Sequence, residues 1–258
     1  RNQYAQAMGY DSYADYAYEA IYGRDYTPQE VQQLYDDVKA SLSEVTQWLA
    51  LAAENNPELL RERLDGMTGL SQEEILALAE PGLWEISDEY GALLEYMQEN
   101  QLCDLNQWDG QLVTGFTTEL PAYHSAYLYN APYGNYLDVS TFFHEFGHFS
   151  NFCLAEVPAS AYDLCEIHSQ GLEALSLAFA DQLAGEEGGD AYRLRVLYGL
   201  AGVAIDGCLY DEFQQIIYAR GDMTAEEMAE LYSQLAVEYG YYYDGPSYDW
   251  VQVNHTFE

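Results

Sequence analysis

Positive charge is the scarcest property of this 258-residue chain. It has 8 Lys and Arg, a single Lys among them, against 44 Asp and Glu, for a formal net charge of −36. Such a field repels phosphates, which argues against nucleic acid and anionic membrane surfaces as partners. Long apolar runs are missing too. No stretch of eighteen apolar residues occurs, so the sequence offers no transmembrane helix. Cysteine is sparse: Cys103, Cys153, Cys165 and Cys208 form no C-x-x-C pair and sit among apolar residues. That favours free, packed thiols over disulfides. Residue 1 is Arg and no secretory leader is visible, so the chain reads as a piece of something longer.

Apolar residues are plentiful, at 49%, so the chain folds. Their spacing is mostly helical. Thr27-Pro28-Gln29-Glu30 combines an N-cap, a Pro at the first helical position and a capping Glu. Val31, Leu34, Tyr35, Val38, Leu42, Val45 and Leu49 continue at helical spacing to about Asn55. Ser71-Gln72-Glu73-Glu74 opens a helix expected to end at Pro81-Gly82, and another runs from about Ile86 to Gln101. Segments 111–118 and 123–130 are rich in Thr, Val, Tyr and Phe and read as strands. Pro121 and Pro132 place them at an edge. Helices are expected over about 161–183, 192–219 and 225–239. No repeat or linker divides the chain, so residues 1–258 read as one mainly helical domain with a small edge hairpin.

The most informative stretch is His144-Glu145-Phe146-Gly147-His148. On a helix, residues four apart share a face, so His144 and His148 can offer two imidazole nitrogens to one ion. Glu145 then lies within reach of a water beside that ion. Val139, Phe142, Phe143, Phe146 and Phe149 predict that this helix is buried. Buried polar groups without partners are costly, so the two His and the Glu need a reason to be there. Catalytic zinc takes three protein ligands. The third candidate is Glu166, eighteen residues beyond His148, far enough for the chain to turn and return antiparallel. Glu166, Ser169, Gln170 and Glu173 make one polar stripe at helical spacing. The rest of that stripe can support the ligands. Asp163 and Glu156 are rival third ligands, and His168 faces away from the stripe.

These motifs resemble the thimet oligopeptidase and oligoendopeptidase F family of zinc metallopeptidases. The likeness covers the His144–His148 motif and Glu166-x-x-Ser169-Gln170-x-x-Glu173. It extends to Tyr129-Asn130, Asp138-Val139, Ala7-Met8-Gly9-Tyr10, Arg24-Asp25-Tyr26-Thr27, Tyr248-Asp249-Trp250 and His255-Thr256-Phe257. The resemblance implies a helical zincin-type catalytic domain that hydrolyses short peptides with Zn2+. His144, His148 and Glu166 would be ligands and Glu145 the general base and acid. Glu173, with Ser169, would support the ligands, and His255 would contact substrate. The strand before the zinc helix would hold an extended peptide, with Tyr127, Tyr129 and Asn130 as candidate contacts. The family's C-terminal Tyr segment and N-terminal helical lobe are not in this sequence. A non-catalytic peptide-binding module on the same scaffold is the alternative, and a different metallohydrolase with the same two-helix site is a third. The resemblance implies a cytoplasmic setting; the residues themselves assign no compartment.

Overall fold

The computed structural model describes residues 1–55, 57, 64–111, 114–156 and 162–252. In chain order the helices are α1 (Asn2–Ala7), α2 (Tyr13–Tyr16), α3 (Gln32–Asn55), α4 (Gln72–Ile86), α5 (Asp88–Glu99), α6 (Leu137–Leu154), α7 (Tyr162–Ser176), α8 (Ala180–Ala184), α9 (Gly189–Arg220) and α10 (Ala225–Glu238). The strands are β1 (Cys103–Asp104), β2 (Gly115–Leu120) and β3 (Ser125–Asn130). The fold is therefore mainly α with one small sheet, as the periodicity predicts. No helix among the described residues is long and apolar enough to cross a membrane. All four cysteines are free of disulfides.

The chain gathers into two compact units where the sequence suggests one domain. One comprises Arg1–Ala52 and Tyr198–Glu258, the other Ala53–Leu197. Both divisions fall inside helices, α3 and α9, so no Pro- or Gly-rich linker marks them. In the first unit Tyr35 and Val38 of α3 pack with Ile205, Leu209 and Phe213 of α9 and Leu235 of α10. A capping box on Thr224 and Glu227 starts α10. Glu30 Oε2 accepts from the Thr27 backbone N–H at 2.7 Å and from the Thr27 hydroxyl at 2.9 Å, but around a turn, and α3 itself begins at Gln32.

The second unit carries the metal-site motifs. Helix α4 runs straight through Pro81, which was expected to end it. Proline in a helix interior forfeits one backbone bond, at about 3 kcal/mol. Ile75, Leu76 and Ala79 before it and Leu83 after it are all buried, and that burial offsets the lost bond. The sheet order is β1-β3-β2. Strand β3 is thus central rather than an edge: Leu128 and Tyr129 pair in parallel with Cys103 and Asp104. The other side of β3 pairs along its length with β2. A two-residue strand has too little pattern to be read from sequence. Helix α6 lies against β2 and β3 and is buried through Val139, Phe142, Phe143, Phe146 and Phe149.

Candidate metal centre

Helix α6 puts His144 and His148 on one face, ring centroids 5.1 Å apart. The face has a partner because Gly147 lies between them in sequence. A Cβ on Gly147 would stand 2.4 Å from the His168 carbonyl oxygen and 2.6 Å from the Ser169 Cα. Only glycine admits so close an approach. The backbone of α7 therefore rides against α6 at the motif, and its polar stripe reaches the imidazoles.

Glu166 Oε2 lies 3.3 Å from His144 Nε2 and 3.4 Å from His148 Nε2. The ligand atoms of these three residues all fall within 4.8 Å of one another. No other group of three His, Cys, Asp or Glu side chains converges in this way among the described residues. Asp163 and Glu156 stay outside it. Zinc–nitrogen and zinc–oxygen bonds of about 2.0–2.1 Å at tetrahedral angles place ligand atoms about 3.3 Å apart. The two measured edges match that spacing, and the two-nitrogen, one-oxygen donor set suits zinc. The residues present fit the ion.

The supporting contacts are complete for two of the three. His144 Nδ1 meets Glu173 Oε2 at 3.4 Å, which orients the ring so that Nε2 points to the common centre. Ser169 donates to Glu166 Oε2 at 2.6 Å. Glu173 and Ser169, the residues expected to support the ligands, thus each contact one of them. Burial alone would push the His144 imidazole down; Glu166 and Glu173, with Glu145 nearby, override it and hold the group up to about 10. In return the two imidazoles hold the Glu166 carboxyl well below the usual carboxylate range.

Glu145 is only 5% exposed. Its partner is Thr117 of β2, a residue that sequence reasoning missed. The Thr117 hydroxyl lies 2.8 Å from Glu145 Oε2 and 3.0 Å from the Glu145 carbonyl oxygen. Burial raises the Glu145 carboxyl, against the downward pull of Thr117 and the imidazoles. Gly115 keeps the strand close: its Cβ would lie 3.0 Å from Glu145 Oε1.

The sheet register sorts the proposed substrate contacts. Asn130 pairs with Gly115 and Leu128 with Thr117, so these share the face turned toward α6. Asn130 is buried there, its amide donating to the Asp138 carbonyl at 3.4 Å, while its Oδ1 has no partner among the described residues. Tyr127 and Tyr129 fall on the opposite face. Tyr129 packs on Phe116 at 5.1 Å, and Tyr127 borders a cavity of about 600 Å³ with Gln72, Cys103 and Asp104. The structure does not bring these two tyrosines to the centre. The alternation of side chains could have shown it, had the strand been anchored to Asn130. His255 lies outside the described residues.

Among solved structures, 97% of this chain superposes on 47% of a chain assigned to oligoendopeptidase F, with a TM-score of 0.79 and 24% identity. The fold is that of oligoendopeptidase F. PZ peptidase A with an inhibitor gives a TM-score of 0.78 at 23% identity, again over 97% of this chain and 47% of that one. A Bacillus anthracis chain assigned to oligoendopeptidase F gives 0.77 at 21%, over 92% of this chain and 46% of that one. This chain spans about half the length of each. No protein-family model matches the sequence. No curated protein matches it either. The likeness is thus one of backbone geometry, at 21–24% identity.

Proposed function

We propose that this chain carries the catalytic centre of a zinc-dependent peptidase acting on short peptides. The observation that supports this reading is the convergence of His144 Nε2, His148 Nε2 and Glu166 Oε2 beside the buried Glu145. His144, His148 and Glu166 would hold the ion. Bound there, zinc supplies Lewis acidity, polarising a carbonyl and lowering the pKa of water to about 7. The chain's own residues supply proton transfer. Thr117 occupies Glu145 Oε2, and this leaves Oε1 to take the proton of the attacking water and pass it to the leaving amine. Burial raises the carboxyl, which suits a base working near neutral pH. Glu173 keeps the His144 ring turned so that its Nε2 lone pair faces the ion. The strand that would pair with a substrate backbone is β2 rather than β3, a reading supported by its outer edge, which is unpaired among the described residues.

The test uses a quenched peptide and the intact protein that contains this chain. Cleavage should stop on chelation and return with zinc. Glu145→Gln should keep zinc and lose about 10²–10⁴-fold in kcat. Unimpaired turnover by that variant would remove Glu145 from the chemistry.

A further inference from the structure

Asn130 is 1% exposed, yet its side-chain oxygen Oδ1 accepts no hydrogen bond among the described residues. Orphaned buried acceptors are rare, and each calls for a donor. The amide is oriented from its other end. Asn130 Nδ2 donates to the Asp138 carbonyl, in the first turn of α6, at 3.4 Å. Turning the amide over would set Oδ1 against that carbonyl, two acceptors face to face. Asp138 is itself held in place. Its carboxylate accepts from the backbone N–H groups of Tyr133 at 2.6 Å and Gly134 at 2.9 Å.

The neighbouring strand shows what Oδ1 has beside it. Gly115 is the cross-strand partner of Asn130. Its φ is not positive, so the backbone there does not call for glycine. A glycine inside a strand weakens it and marks a place that something approaches closely. At Gly115 a Cβ would stand 3.0 Å from Glu145 Oε1, 3.0 Å from the Thr141 methyl and 3.5 Å from Asn130 Oδ1. Two acceptor oxygens therefore border the same small space beside Gly115. One of them is the carboxylate oxygen of the base that Thr117 does not occupy. Neither can donate to the other while the carboxylate is ionised. A molecule that serves both must bring two donor hydrogens and little bulk, and water meets both demands.

We propose that Asn130 Oδ1 and Glu145 Oε1 share one buried water, which donates a hydrogen to each, and that Asn130 is through it a positioning residue for the base. The positioning role rests on the peptidase reading above; the water site does not. An ionised carboxylate oxygen has two lone pairs. The shared water takes one of those on Oε1 and leaves the other for the attacking water. Thr117 at Oε2 and the shared water at Oε1 then fix the carboxylate plane from both ends. At 1% exposure Asn130 is too deep to touch a peptide, so its influence on the reaction passes through Glu145.

The test begins with crystal structures of the intact protein, metal-free and zinc-loaded, in which ordered waters are visible. Asn130→Leu, Asn130→Ser and Gly115→Ala are compared with wild type. Wild type should show one water within about 3.2 Å of both oxygens. Asn130→Leu is similar in size but lacks the acceptor, and the Gly115→Ala methyl enters the shared space, so both should lose the water. Asn130→Ser keeps an acceptor and should keep it. With a quenched peptide, kcat should fall roughly ten- to hundredfold in the Leu and Ala variants and less in the Ser variant. KM and zinc affinity should change little, a split that general damage to the fold would not produce. A wild-type structure without a water on both oxygens overturns the proposal. So does one in which Asn130 Nδ2 is turned onto Glu145. A Leu or Ala variant that lacks the water and keeps its kcat overturns it as well, as does one whose zinc affinity falls as far as its rate. If Asn130→Leu does not fold, Gly115→Ala decides by the same criteria. If wild type holds the water but cleaves no peptide, the peptidase reading falls and the water site stands.

Discussion

Asp211 in one unit and Glu166 in the other are two answers to the same problem. Each offers a carboxylate oxygen to three polar neighbours. Asp211 Oδ2 accepts from the hydroxyls of Tyr18 and Tyr35 and from the Gln215 amide at 3.2 Å. Glu166 Oε2 accepts from Ser169 at 2.6 Å and lies 3.3 and 3.4 Å from two imidazoles. The difference is what the neighbours can become. Burial, and then Asp211 itself, push the phenols of Tyr18 and Tyr35 well above their ordinary value, so they keep their protons. Imidazoles can shed a proton and present a lone pair, and the Glu166 side chain is 48% exposed, open to an incoming ion. The first arrangement can only hold itself together. The second can exchange protons for a metal. In a chain this acidic, a cluster of carboxylates says little; the type of donor facing it says whether it is a site.

Exchanging the lesions tests that contrast most severely. Glu166→Ala should lower zinc affinity on the order of 10³-fold, with little effect on the stability of the metal-free chain because the side chain is half exposed. Asp211→Ala should do the reverse. It leaves two buried phenols without their carboxylate acceptor, at about 2–4 kcal/mol in urea unfolding, and leaves zinc affinity unchanged. A zinc competition titration on both variants decides it: equal losses of affinity would erase the distinction.

Alkali separates the two networks next. The buried tyrosines Tyr18, Tyr35 and Tyr239 are raised by burial first and then by Asp211 or Glu212. Folded values above the unfolded value of about 10 mean that the stabilisation is fully present below pH 10. It is lost as pH rises toward the folded values, at about 1.4 kcal/mol per pH unit for each such tyrosine. Tyrosinate absorbance should therefore rise together with loss of helix, not ahead of it. Smooth ionisation before unfolding would show that these phenols are not locked to their carboxylates.

The sequence carried the part of the site that has a helical period. His144 and His148 are four apart, and Glu166, Ser169 and Glu173 repeat at three and four, so spacing alone announces two facing stripes. What has no period was hidden. Thr117 is an ordinary strand residue until β2 is known to lie against Glu145. The division into two units falls within unbroken helices, and Pro81 was overruled by the packing on both sides of it. Gly147 was in plain sight within the motif, yet its role depends on α7, whose distance from α6 no letter encodes.

That approach gives a smaller but specific effect. Gly147→Ala must push α7 outward, because its Cβ would meet backbone rather than a yielding side chain. Overpacking of this kind costs about 1–3 kcal/mol. The loss should appear as roughly ten- to hundredfold weaker zinc binding, since Glu166 and Glu173 move away together from the imidazoles. Unchanged affinity with lowered stability would mean that the ligand set tolerates the shift.

The smallest effect tests whether the base is held from the sheet. Thr117→Val keeps the shape and removes the hydroxyl that reaches Glu145 Oε2. A buried carboxylate oxygen then loses its donor, which costs about 1–3 kcal/mol; part of that penalty is met by a change in the Glu145 rotamer. The expected result is a kcat lowered roughly tenfold with KM and zinc affinity little changed, because Thr117 contacts Glu145 and is not among the three converging ligand residues. Thr117→Ser should recover most of the rate, since it restores the donor and lacks only the methyl. Steady-state kinetics with a parallel zinc titration separate the cases. If Ser is as damaging as Val, the methyl packing matters and the hydroxyl does not. If Val is harmless, Glu145 is held by α6 alone, and the contact between strand and base is a bystander.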